Sequence, residues 1–202
     1  MSAQDISTAA LLLFAEKGYD ATTIADIAKK AGIKKPSIYA HYSSKMEILL
    51  TVLQTVKNNY LTFFRENLDQ TSAIPPDDRL RHIFFSISGY FLQHRNELYF
   101  WMRVWLFPPV DCTHDVLLSI QETNKQLAET IATIFQQGIN NKIFIDETAL
   151  ELAHAYLCML DGYLVRVICH PKFDYDKTLS IIWNAFLLKS LKLPDASIDR
   201  PN

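Results

Sequence analysis

Lys34, Lys35, Ser37, Tyr39 and His41 crowd five hydrogen-bond donors into eight positions. Nothing in that set is a nucleophile paired with a base. Its chemistry is the gripping of phosphate oxygens and base edges. Ile38 and Tyr42, at i and i+4, supply an inward face on the same turn of helix, and Pro36 suits a first helical turn, where no backbone donor is needed. What remains outward is short, polar, basic and aromatic, as a helix lying in a DNA major groove must be. Just upstream, Ile24, Ile27, Ala28 and Ala31 repeat at i, i+3, i+4 and i+7 and predict another amphipathic helix. Gly32 stops it, since glycine takes the left-handed C′ conformation without a Cβ clash. Thr22 or Thr23 caps its start, the latter with Asp26 three residues on. Two short helices across a tight turn are therefore expected between Thr22 and Lys45.

The elements that must hold this unit are helical too. The chain has 202 residues, enough for a substantial core, and only 5 glycines, well below the usual share of about 7%. A first helix is predicted over residues 5–17, with Ile6, Ala9, Ala10, Leu13 and Phe14 on one face and Gly18 at its end. After Tyr42, a long helix runs from Ser43 or Ser44 to about Asn67. It carries the apolar stripe Ile48, Leu49, Val52, Val56, Tyr60, Phe63 and Phe64. Further helices are expected at about 78–94, 96–106, 114–138, 146–169 and 176–191, separated by segments holding Pro, Gly or Asn. The last ten residues, 193–202, are too polar to pack and are read as a flexible tail.

Charge is unevenly placed. The formal net charge is −2, yet residues 27–46 hold five lysines and no acidic residue. A basic unit on a mildly acidic body points to local phosphate contact rather than to a coating of polyanion. Three cysteines without a CxxC pair favour a reducing, cytoplasmic setting. The apolar segment 152–169 is interrupted by His154, Asp161 and Arg166, which argues for burial in protein and against a membrane partner. His154 and Cys158 share a helical face, but two ligands do not make a metal site. With no GxSxG, no glycine-rich phosphate loop and no spaced Cys and His pair, neither an enzyme nor a cofactor is expected.

The run LLLFAEKGYDATTIADIAKKAGIKKPSIYAHYSSKMEIL, residues 11–49, resembles the TetR family of transcriptional regulators. Phe14, Gly18, Thr22, Thr23, Ile27, Ala28, Gly32, Ile38, Tyr39, Tyr42 and Lys45 carry the resemblance. It implies an all-α chain of about nine helices: a three-helix bundle with a helix-turn-helix at 1–45, then a helical effector-binding and dimerisation domain at 46–192. It also implies a homodimer on a double-stranded DNA operator, usually repressing, and released by a small molecule. Carried over by position, Thr22 or Thr23 and Lys45 hold phosphates, while Lys34, Lys35, Ser37, Tyr39 and His41 meet the groove or its flanking backbone. His41 also suits the helix dipole as a C-terminal residue. Two departures stand out: no basic arm precedes the first helix, and Lys34 and Lys35 replace the more frequent Ser, or Ser and Lys.

Two apolar constellations remain. Residues 84–107 hold nine of the 24 aromatics, more than one helix face can hide. With Tyr60, Phe63 and Phe64, the rings Phe85, Tyr90, Trp101 and Trp105 are candidates to line a pocket for a small apolar or aromatic ligand, with Arg103 as a polar contact. The last two long helices carry Leu157 and Leu164, then Leu179, Ile182, Trp183, Phe186 and Leu187, an apolar surplus suited to a four-helix dimer interface. The competing reading is a helical small-molecule carrier or scavenger without specific DNA binding.

Overall fold

The computed structural model describes residues 2–170 and 174–190. The expected tail at 193–202, residues 171–173 of the last connection and the Leu187 side chain lie outside the described residues. Among those described there are nine α-helices and no strand: α1 (Ala3–Lys17), α2 (Ile24–Ala31), α3 (Lys35–Tyr39), α4 (Lys45–Gln70), α5 (Pro76–Gln93), α6 (Arg95–Leu106), α7 (Thr113–Asn140), α8 (Ala149–Cys169) and α9 (Tyr175–Ser190). The all-α class and the helix order match the sequence expectation.

Where boundaries shift, hydrogen bonds explain it. α1 starts before residue 5 because Ser2 and Asp5 form a capping box, Asp5 N donating to Ser2 Oγ at 3.3 Å and Ser2 N to Asp5 Oδ2 at 2.7 Å. α2 begins at Thr23 by the same device: Asp26 N donates to Thr23 Oγ1 at 3.1 Å and Thr23 N to Asp26 Oδ2 at 3.0 Å. Gly32 is left-handed at φ 72°, and Ile33 N closes the turn on the Ala28 carbonyl at 2.9 Å. At the other end of the chain α7 runs past Gly138. That glycine is a packing requirement rather than a breaker, because a Cβ there would collide with the Phe144 ring.

The described residues form two compact units. Of the described residues, the first holds 2–66 and 89–124, the second 67–88, 125–170 and 174–190. This division differs from the expected one at residues 45/46, and the reason is α6. Phe14 of α1 and Phe100 of α6 lie 6.3 Å apart ring to ring, and one core joins Ile6, Phe14, Ile27, Ile38, Ile48, Phe100 and Trp101. The helix-turn-helix thus shares its core with residues read from the sequence as part of the effector domain. In the second unit, Phe84, Phe135, Phe144, Tyr156, Tyr163 and Trp183 are fully buried, and the Tyr156 hydroxyl donates to the Leu80 carbonyl at 2.9 Å.

Candidate functional site

Only one residue of α3 is sunk: Ile38 is completely buried and, with Tyr42, pins the helix to its base. The Tyr42 hydroxyl donates to the Ala3 carbonyl at 3.0 Å, so the chain just beyond α3 is fastened to the start of α1. Lys34, Lys35, Ser37, Tyr39 and His41 are all exposed, and Tyr39 keeps 52% of its surface in solvent. A tyrosine so displayed, ringed by two lysines, a serine and a histidine, has no folding reason to be there. It offers a ring to sugars and a hydroxyl to phosphate.

The two threonines separate in role. Thr22 is fully buried and spends its hydroxyl on the Gly18 carbonyl at 2.7 Å, whereas exposed Thr23 is the N-cap of α2. Lys45 is partly committed as well: its ammonium donates to the carbonyls of Tyr19 and Thr22 at 2.8 and 3.0 Å and lies 4.0 Å from the centre of the Tyr19 ring. The start of α4 therefore holds the loop that presents Thr23, a role spacing alone did not reveal. A third ammonium hydrogen remains for a phosphate. Beside them, the Asp26 carboxyl is held down at about 2, first by the 2.9 Å bond from Lys17 and then by the Thr23 backbone and hydroxyl. Acid that protonates it weakens the carboxylate's half of the α2 capping box and the tie to α1 together, leaving the Thr23 hydroxyl cap in place.

The aromatic candidates divide. Tyr60, Phe63 and Tyr90 come together with Phe91: the Phe63 and Tyr90 rings are 4.6 Å apart, and those of Tyr60 and Phe91 are 5.2 Å apart. Glu97 closes this group by accepting from the Tyr90 hydroxyl at 2.6 Å and from Asn59 Nδ2 at 3.0 Å. Burial and that carboxylate both raise the Tyr90 hydroxyl, so it stays a donor. Phe64 is buried on α4. Trp101 and Trp105 instead pack into the core under α1. Phe85 belongs to the second unit, where the Arg81 guanidinium covers its ring at 4.7 Å. Arg103 is engaged by the backbone of α1. It donates from Nε to the Ala15 carbonyl at 2.9 Å and from Nη2 to the Glu16 carbonyl at 3.0 Å, capping the C-terminal end of α1. A second ring cluster escaped the sequence reading: Phe84, Phe135, Tyr156, Trp183 and Phe186 adjoin one another at 5.7 to 6.3 Å, and the Trp183 indole N–H has no acceptor among the described residues. Its members come from α5, α7, α8 and α9, too far apart in sequence for any local pattern to join them.

Of the side chains expected at a dimer interface, Leu164, Leu179 and Trp183 are already buried within the chain. Leu157, Ile182 and Phe186 are half-buried. The apolar groups left outside are others: Leu150 and Val165 on α8, at 43% and 39% exposure, and Ile181 on α9, at 57%. Ala155, Cys158 and Gly162 are exposed beside them, and nothing lies within 4 Å of where a Gly162 side chain would begin. α8 is long and apolar enough to cross a membrane, with a mean hydropathy of 1.4, but Leu152, Ala153, Tyr156, Leu160, Tyr163, Leu164 and Val167 are buried inside the protein. Among the described residues no three metal-ligating side chains come together.

Asp161 on α8 is the one described carboxylate raised markedly, from 3.8 to about 6, and the cause is burial. Its folded value lies above its unfolded one, so the folded state is penalised once the group ionises, and stability falls as pH rises from about 4 to about 6. Asp161→Asn is expected to raise the melting temperature at pH 7.5 by a few degrees and to leave it unchanged near pH 4. A melting series across pH checks this, and a pH-independent difference would assign the effect to packing.

A helix-turn-helix whose second helix turns a basic and aromatic face outward, fixed to an otherwise helical chain, defines a DNA-binding transcriptional regulator. Residues 6–52 match the model of the bacterial regulatory proteins, tetR family. The chain is 33% identical over 184 residues, 89% of its own length and 96% of its relative's, to the biofilm operon icaADBC HTH-type negative transcriptional regulator IcaR of Staphylococcus epidermidis. The chain belongs to the TetR family. Its fold is shared with a transcriptional regulator from Saccharomonospora viridis solved in complex with choline, at a TM-score of 0.79 and 22% identity, covering 95% of this chain and 98% of that one. It is also shared with FadR from Bacillus subtilis in complex with stearoyl-CoA, at 0.74 and 17%, covering 93% and 99%.

Proposed function

We infer that the chain is a homodimeric repressor whose two copies of α3 enter successive major grooves of a palindromic operator, and that a small molecule bound among its later helices releases it. The observation that carries the DNA reading is the exposed Tyr39 among Lys34, Lys35, Ser37 and His41, on a helix anchored by Ile38. Thr23 and the free hydrogen of Lys45 grip the backbone at either side. In functional terms residues 1–45 read DNA and 46–192 bind effector and partner, though α6 belongs physically to both tasks. Two copies must hold their α3 helices about 34 to 36 Å apart, or a multiple of that. The outer face of α8 and α9, centred on Gly162, Val165 and Ile181, is the surface for that pairing. The negative regulator from Staphylococcus epidermidis favours repression over activation. Effector binding is supported by the two aromatic clusters, by the unpaired Trp183 indole, and by relatives of the same fold that were solved with choline and with stearoyl-CoA.

Fluorescence anisotropy with DNA from upstream of the protein's own gene tests the reading. Binding should be sequence-selective and steeply salt-dependent. Replacing Lys34 and Lys35 together by alanine is expected to weaken binding roughly tenfold or more at about 100 mM salt and to make the salt slope shallower by about 2. Ligand binding without any selective DNA binding would favour the carrier or scavenger instead.

A further inference from the structure

Arg79, in the first turns of α5, is an unusual cation. It is half-buried, its Nη2 donates to the Leu68 carbonyl at 3.2 Å near the end of α4, and its Nε–H is sealed from solvent without an acceptor. No carboxylate among the described residues lies within ion-pair distance of it. Beside it opens a cleft of about 310 Å³ within the second unit, whose polar lining is Gln126, Glu129, Thr130 and Thr133 from α7. An arginine presents its Nε–H next to a terminal N–H, the paired donors that a carboxylate or phosphate takes with two oxygens. Here the bond to Leu68 fixes the orientation of the guanidinium, and Nε–H is left without an acceptor among the described residues. A buried guanidinium N–H left unmatched is costly, so a ligand oxygen gains from satisfying it.

We propose that this cleft is an oxyanion-binding site in which Arg79 takes the carboxylate or phosphate of a small effector. Its place in effector recognition rests on the reading of the chain as a ligand-released regulator. Gln126 supplies a neutral amide donor beside the anion, while the Thr130 and Thr133 hydroxyls are spent on the Gln126 and Glu129 carbonyls of their own helix at 2.8 and 3.0 Å. Glu129 opposes it: among the described residues its charged partner is Lys125, at 3.9 Å, and both side chains are exposed. Glu129 therefore sets the selectivity of the cleft, weakening small dianions and leaving room for a ligand that brings one charge and an apolar remainder.

Isothermal titration of the full-length protein with octanoate, and separately with inorganic phosphate, tests the site. Binding of octanoate alone identifies a carboxylate with an apolar tail. Binding of phosphate alone identifies a phosphate head, and either result supports the site. Arg79→Met is expected to weaken the active probe at least tenfold, Arg79→Lys several-fold, and Glu129→Gln to tighten it several-fold. If Arg79→Met does not fold, as judged by circular dichroism, Glu129→Gln carries the test. Binding of neither probe at millimolar concentration, equal affinity in Arg79→Met, or no tightening in Glu129→Gln overturns the proposal. An operator-release assay with the same probes separates the two readings. Release that persists in Arg79→Met sinks the cleft and spares ligand gating. Arg79-dependent binding without release spares the cleft and sinks its part in gating.

Discussion

Replacing Val165 and Ile181 together by glutamate is expected to yield a monomer and to lower operator affinity by about a hundredfold or more, if the proposed α8 and α9 face is where two copies pair. The two side chains stand outside the chain's own core, at 39% and 57% exposure, so the change does not open a cavity within it. It puts four like charges into the surface that two copies would share, where desolvation and repulsion act together. The loss on DNA follows from linkage. A dimer places its second recognition helix beside the second half-site at a high effective concentration, and splitting the pair forfeits the roughly 10² to 10⁴ that such tethering supplies. Sedimentation velocity reads the mass and anisotropy reads the affinity, while circular dichroism confirms an unchanged fold. A variant that remains dimeric would place the twin elsewhere on the molecule.

Arg103→Met is expected to lower the melting temperature by roughly 4 to 8 °C and to blunt the operator's response to ligand. Both effects come from the end of α1. Its last carbonyls lack helical partners, and two of them, on Ala15 and Glu16, are met by one guanidinium from α6. Charged hydrogen bonds of this kind are worth about 1.5 to 3 kcal/mol each when buried; the partial exposure of Arg103 cuts the sum to about 2 kcal/mol. For a chain of this length that amounts to the shift given. The second effect is the more informative. α1 carries the base on which α2 and α3 rest, and α6 is joined to it by the Phe14 and Phe100 contact and by Arg103. A ligand can move the recognition helix only through elements that are packed against its base. Removing the polar half of that joint leaves apolar packing, which tolerates sliding. Equal ligand response in Arg103→Met and the unaltered protein would show that α6 is not the coupling element.

The pattern from Thr22 to Lys45 needed no tertiary information to be read. Helix periodicity, the Thr23 and Asp26 cap, the left-handed Gly32 and the placement of Ile38 are local: each depends on residues within one or two turns, so spacing alone specifies them. The same locality explains why the later helices were legible within a few residues of their ends. The fate of individual long side chains was not legible. Lys45 reads as a phosphate ligand by position, yet two of its donors hold carbonyls 26 and 23 residues upstream. Arg103 reads as a ligand contact and instead caps a helix 87 and 88 residues away. Leu164, Leu179 and Trp183 read as surface for a twin and are core.

By itself, then, the sequence determined the all-helical class, the groove-reading unit and the apolar surplus that calls for a partner. Only the tertiary structure decided which side of each apolar helix is spent inside the chain, because a stripe wider than one contact face has no inner edge until its neighbours are in place. It also decided that α6 belongs with the DNA-reading helices, since that grouping arises from packing between residues some ninety positions apart, which no local spacing encodes.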